Sequence, residues 1–154
     1  MARHAATMPV LEVMTTAPVT VRLDTTVQEL LELFDRHDFN AFPVVADGTL
    51  RDIVSKLDVL RLLHPDEQFR LPPATAIGTT RVSAIMRPGT LTVEAEDPVV
   101  VAADLMVATG RRSLPVVHRG PGWPMLVGIV SRGDLLRGLR FELAEDAPRQ
   151  VARA

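Results

Sequence analysis

GIVSRGD, residues 128 to 134, and DIVSKLD, residues 52 to 58, say nearly the same thing twice. Each holds two apolar residues, a serine, a basic residue, any residue and an aspartate. Seventy-six residues separate Asp58 from Asp134. The echo runs upstream at a shift of 72: Val13-Met14 against Ile85-Met86, Val19-Thr20-Val21 against Leu91-Thr92-Val93, and Phe42-Pro43-Val44-Val45 against Leu114-Pro115-Val116-Val117. The change from 72 to 76 puts a four-residue insertion between Val117 and Ile129. Two units of this length are too few and too long for a repeat array. They predict a duplicated domain with approximate two-fold symmetry.

Each copy reads as strand, helix, strand, strand, helix. In the first copy, Val19-Thr20-Val21 is an expected strand. Thr25 or Thr26 can cap a helix whose apolar positions are Val27, Leu30, Leu31 and Phe34, the i, i+3, i+4, i+7 stripe of one buried face. The second copy repeats it with Val99, Ala102, Ala103 and Met106, and Pro98 fits a first helical turn. FPVV and LPVV are short apolar runs suited to buried strands. Asp47-Gly48 is a strong hairpin signal. The second hairpin carries the longer loop RGPGWP, with Trp123 expected at its tip. A last helix follows each Ser-x-x-Asp, with apolar residues Val59, Leu60 and Leu63 in one copy and Leu135, Leu136 and Leu139 in the other. The organisation expected is a first repeat over 8–64, a linker over 65–80 rich in proline, a second repeat over 81–141 and a polar tail over 142–154. A lone copy of about 50–60 residues is marginal, which gives each copy a reason to pack on the other.

The composition narrows the chemistry. Of 154 residues, 47% are apolar but only 4% aromatic, with no Tyr and one Trp. The interior must therefore be aliphatic, with Met86, Met106 and Met125 expected to fill gaps rather than line a cofactor. With no cysteine, disulfides, thiolate metal sites and a cysteine nucleophile are excluded. His4, His37, His64 and His118 do not pair at metal-ligand spacing. The net charge of −2 offers no attraction for nucleic acid or an anionic membrane. No apolar run reaches the length of a membrane span. The expectation is a soluble cytoplasmic protein. It is not expected to be an enzyme, since no nucleophile–base pair is visible.

With the repeat in place, the chain resembles the cystathionine-beta-synthase (CBS) domain family, as a stand-alone tandem pair often called a Bateman module. The resemblance covers about residues 8 to 140 and rests on Met14 with Pro18 to Val21, on the Pro-Val-Val strand of each copy and on each closing Ser-x-x-Asp. It implies an α+β fold of two β-α-β-β-α repeats packed through their sheets with pseudo-two-fold symmetry. It also implies a regulatory module that binds an adenine nucleotide (AMP, ADP or ATP) or S-adenosylmethionine in clefts between the copies. A homodimer and a regulated protein partner are implied as well. The alternative from another class is a ligand-free dimerisation or interaction module.

Ser-x-x-Asp has two readings. As a capping box, Ser55 or Ser131 satisfies a free N–H of the first helical turn, and the aspartate reaches back. As a site, Asp58 or Asp134 reads the paired hydroxyls of a ribose, as acidic residues do in dinucleotide folds. Phosphates would then turn from the carboxylate toward cations. Arg112 is the first candidate in the second copy, with Arg132 and Lys56 secondary. The resemblance sets Ile129 and Ile53 on the adenine and pairs each aspartate with the other copy's opening segment: Asp134 with Thr7–Val13, Asp58 with Thr79–Ile85. In the first copy Asp52 stands where the family has Gly, and Asn40 stands where the second copy has Arg112. Both make the Asp58 site the less suited to a polyphosphate.

Overall fold

The structure, a computed structural model, describes residues 7–86, 89–122 and 124–145. Trp123, His4 and the tail from residue 146 lie outside the described residues. In chain order the elements are β1 (Thr15–Thr16), α1 (Val27–Arg36), β2 (Ala41–Ala46), β3 (Thr49–Ser55), α2 (Lys56–Leu60), α3 (Ala74–Thr79), α4 (Val82–Ile85), β4 (Val93–Glu94), α5 (Val99–Thr109), β5 (Ser113–His118), β6 (Met125–Ser131) and α6 (Arg132–Glu145).

Asp47 and Gly48 both take left-handed backbone, with φ of 53° and 74°, the pair of angles that a two-residue hairpin turn needs. That turn closes β2 on β3, from Ala41 opposite Ser55 to Ala46 opposite Thr49. β5 and β6 pair in the same way, from Ser113 opposite Ser131 to His118 opposite Met125. Both hairpins shift register at the matching place, after Val44 in one and after Val116 in the other. The hairpins meet where Thr49 of β3 faces Met125 of β6, giving one sheet in the order β2-β3-β6-β5-β4, with β1 added beside β6. The copies are thus joined through their sheets.

Two apolar cores lie against it, and each borrows from the other copy. The first gathers Val21, Val27, Leu30, Phe42, Val44, Val54 and Val59, but also Val82 from the second copy. The second gathers Val93, Ala95, Ala102, Met106, Leu114, Val116 and Val130, but also Val10 from the first. Val10 and Val82 are related by the 72-residue shift. Backbone bonds seal the exchange. The Val10 N–H donates to the Asp97 carbonyl and the Val99 N–H to the Met8 carbonyl, both at 2.8 Å. The Val82 N–H donates to the Thr25 carbonyl and the Val27 N–H to the Thr80 carbonyl, again at 2.8 Å. Burying one valine stabilises by about 1.5–3 kcal/mol, so the exchange is a sizeable part of what holds the copies together.

Several expected elements differ. The strand at Val19–Val21 is reduced to one parallel bridge, Val21 to Val44, because Asp24 and Thr25 turn the chain at once into the capping box of α1, whose cap is Thr26. Pro98 is the N-cap of α5 rather than its first residue. Leu31 is exposed, and so are Leu60, Leu63, Leu136 and Leu139, while Val27, Leu30, Phe34, Val59 and Leu135 of those stripes reach a core. Met125 is exposed, while Met106 fills the second core. The linker is not featureless. It holds α3, and Ile77 packs on the first core. The last helix runs to Glu145, past the expected start of the tail.

Candidate functional site

Gly128 explains how the cleft is walled. A Cβ there would lie 2.7 Å from the Thr15 carbonyl oxygen and 2.8 Å from the Met14 sulfur. Its missing side chain lets β1 lie directly on β6, with Thr15 opposite Ile129 and Thr16 opposite Gly128. The chain then turns through Ala17, at a left-handed φ of 47°, and Pro18 and Val19 form a wall. At the related position of the first copy, Asp52 supplies a side chain. Its carboxylate accepts from the Ile53 N–H at 2.7 Å and from the Thr90 hydroxyl, and it is only 3% exposed.

Both Ser-x-x-Asp phrases are capping boxes. The Ser131 N–H donates to Asp134 Oδ2 at 2.8 Å and the Asp134 N–H to Ser131 Oγ at 3.2 Å. In the first copy the Ser55 N–H donates to Asp58 Oδ2 at 2.8 Å and the Asp58 N–H to Ser55 Oγ at 3.3 Å. The second carboxylate oxygen has a partner too. Arg61 Nη1 donates to Asp58 Oδ1 at 2.7 Å, and Arg137 Nη2 donates to Asp134 Oδ1. Arg61 and Arg137 are related by the same 76-residue shift. Asp58 and Asp134 are therefore buried but charge-compensated. The clipping arginines were readable: the phrase is Ser-x-x-Asp-x-x-Arg in both copies.

Two clefts open beside these corners. One, of about 380 Å³, is lined by Ile129, Ser131 and Asp134, by the wall at Thr15 and Val19, and by Asp38 and Phe39. The other, of about 560 Å³, is lined by Asp52, Ile53, Ser55 and Asp58, and by Gly110 and Arg111. Such volumes suit a small organic ligand. Each cleft thus joins one copy's capped aspartate to the other copy's helix-to-strand loop. Arg112 and Asn40 sit where the clefts approach each other and line both.

This geometry corrects two expectations. Asp134 faces the wall from Thr15 to Val19 rather than Thr7–Val13, which is held in the second core through Val10. Asp58 does not face Thr79–Ile85, because Val82 is drawn into the first core. The cations divide unevenly: the Asp58 cleft is lined by Lys56, Arg61, Arg111 and Arg112, the Asp134 cleft by Arg112 and Arg132. Of these, Arg132 is engaged elsewhere. Gly110 ends α5 in the left-handed conformation, as helix ends favour. Arg132 donates to the carbonyls that follow it, 2.9 Å to Gly110 O at the helix end and 3.0 Å to Arg111 O in the loop beyond. Lys56 lies over the Phe34 ring at 5.6 Å.

Burial pushes the Asp52 carboxyl above its ordinary value. The Ile53 N–H and the charge of Arg111 pull it back, and the charge of Asp58 adds to the rise. Among the described residues no group of His, Asp and Glu is arranged to hold a metal ion, and no helix is long and apolar enough to cross a membrane.

The CBS domain model matches residues 10–65 and 82–140. A CBS domain-containing protein of Dictyostelium discoideum is 34% identical over 146 residues, covering 90% of this chain and 95% of that protein. The crystal structure of CBSX2 in complex with AMP superposes with a TM-score of 0.72 at 29% identity, over 86% of this chain and 96% of that one. The CBS domain pair of MJ0100, solved with 5′-methylthioadenosine and S-adenosyl-L-methionine, shares the fold at a TM-score of 0.69 and 22% identity, over 88% of this chain and 98% of that one.

Proposed function

The chain belongs to the CBS domain family, as two repeats in tandem, and on that premise we propose that it is a regulatory module which senses an adenosyl ligand in the clefts between its copies. The observation that carries this is the pair of buried aspartates, Asp58 and Asp134, each fixed by its own cap and arginine at the edge of a cleft. A carboxylate so held is a rigid acceptor for two adjacent ribose hydroxyls. Ile53 and Ile129 line the same clefts as apolar surface for a purine. CBSX2 was solved with AMP and the MJ0100 pair with adenosyl compounds, which supports the ligand class. The ligand acts by preferring one shape or assembly of the module over another, and it can shift that balance only by its difference in affinity for the two.

A ligand that binds only the folded chain raises its stability, by about 2.7 kcal/mol at a hundred times Kd. AMP, ADP, ATP or S-adenosylmethionine should therefore raise the melting temperature. Asp58→Ala and Asp134→Ala together should remove that rise while the fold persists. No rise with any of the four at millimolar concentration would leave the second reading, a ligand-free interaction module. That reading draws on the caps and arginines, which account for both aspartates without a ligand. On either reading we propose a homodimer, supported by the leucines that the repeat leaves exposed in pairs, Leu60 with Leu136 and Leu63 with Leu139. Sedimentation of the purified chain at a one-chain mass would refute it.

A further inference from the structure

The two clefts differ most in the loop each receives from the other copy. At the 72-residue shift, Asp38, Phe39 and Asn40 correspond to Gly110, Arg111 and Arg112. The Asp134 cleft is thus offered a carboxylate and an aromatic ring that do not line the other. The Asp58 cleft is offered the Arg111 guanidinium, while Arg112 and Asn40 line both clefts. We infer that the clefts take different classes of adenosyl ligand: the Asp58 cleft a phosphate-bearing nucleotide, the Asp134 cleft an uncharged or cationic adenosyl compound. This rests on the adenosyl reading and divides it between the clefts.

In the Asp58 cleft Arg61 is held by Asp58 and Lys56 lies over Phe34. Arg111 and Arg112 are the cations left to meet a phosphate, and paired guanidinium groups match phosphate oxygens in shape and charge. Asp52 opposes them only in part. It is an interior group that already accepts from Ile53 and Thr90. In the Asp134 cleft, Arg132 is turned onto the end of α5, so Arg112 at the shared edge is the remaining cation among the described residues. Asp38 opposes an anion there, while the Phe39 ring, stacked on His37 on one side and 45% exposed, adds apolar surface.

The test is calorimetric titration of the full chain with AMP and with adenosine. AMP should bind tightly at one site per chain, with affinity falling as salt rises. Adenosine should bind without salt dependence and should not displace AMP. Arg111→Glu should weaken AMP by about tenfold or more, the loss of a charge-assisted contact, and leave adenosine unchanged. Phe39→Arg, which writes the second copy's residue into the first, should add a second AMP site. The division fails if Arg111→Glu leaves AMP unchanged, if it weakens both ligands equally, or if AMP fills two equal sites in the unaltered chain. If neither ligand binds the unaltered chain, the adenosyl reading falls with it. Melting curves of both variants verify that they are folded.

Discussion

Asp52 differs from its counterpart Gly128 by one side chain, and that side chain changes the first copy's cleft. Where glycine admits β1 onto the sheet, Asp52 fills the place with a buried carboxylate. Its pKa lies above the ordinary 3.8, chiefly because burial disfavours the charge. The sign follows from linkage. A group whose folded pKa is raised contributes stability that is complete below the unfolded pKa and lost as pH rises through the folded one. At neutral pH Asp52 is therefore a liability to the fold. Asp52→Asn keeps an oxygen for the Ile53 N–H and the Thr90 hydroxyl and removes the charge. Chemical denaturation should show it more stable than the unaltered chain near pH 7, with the difference shrinking as pH falls toward 3.8. An advantage that grew on acidification would refute this account. At this scale the sequence was partly legible. The two capping boxes could be read from Ser-x-x-Asp, because capping is local chemistry. The arginine three residues on could have been read and was missed. The destination of the Arg112 side chain could not, since it depends on how two copies face each other.

The helices and strands were legible for the same reason the caps were: their signals lie within a few residues. Hydrophobic spacing placed α1 and α5, and Asp47-Gly48 placed the first hairpin. Spacing could not say which apolar residues go inside, and Leu31, Leu60, Leu63, Leu136 and Leu139 stay exposed. Nor could it show that each opening segment crosses to the other copy, since a valine reads alike whichever core receives it. Val10 and Val82 are both fully buried. Truncating either leaves a cavity that its neighbours fill only in part. Val10→Ala and Val82→Ala should each cost about 1.5–3 kcal/mol in chemical denaturation. The two losses should be alike, because the shift of 72 puts both residues in equivalent surroundings. A loss below about 0.5 kcal/mol, the range of ordinary surface substitutions, would mean that the crossing segments are ornaments rather than parts of the cores.

The crossing makes the whole molecule less divisible than its repeat implies. From the sequence, each copy could be a small domain tethered to its twin, with residues 65–80 as a loose linker. In the structure each core is missing a piece until the other copy is present: the first lacks Val82, Ile85 and Met86, the second lacks Val10, Val13 and Met14. A domain of this size buries too little surface to tolerate such a loss. The backbone bonds at Val10, Val99, Val27 and Val82 would also be left open, each a donor without its partner. Cutting the chain between residues 71 and 72, where the side chains are exposed, removes none of these contacts and only separates the pieces. Fragments 1–71 and 72–154 should therefore each lack a cooperative thermal transition when alone. Mixed in equal amounts, they should recover one, with a midpoint that rises with concentration because association now supplies what the linker did. Circular dichroism at several concentrations measures both. Two fragments that each melt cooperatively alone, with no change on mixing, would show that the copies are independent domains and that the exchange of Val10 and Val82 is not what unites them.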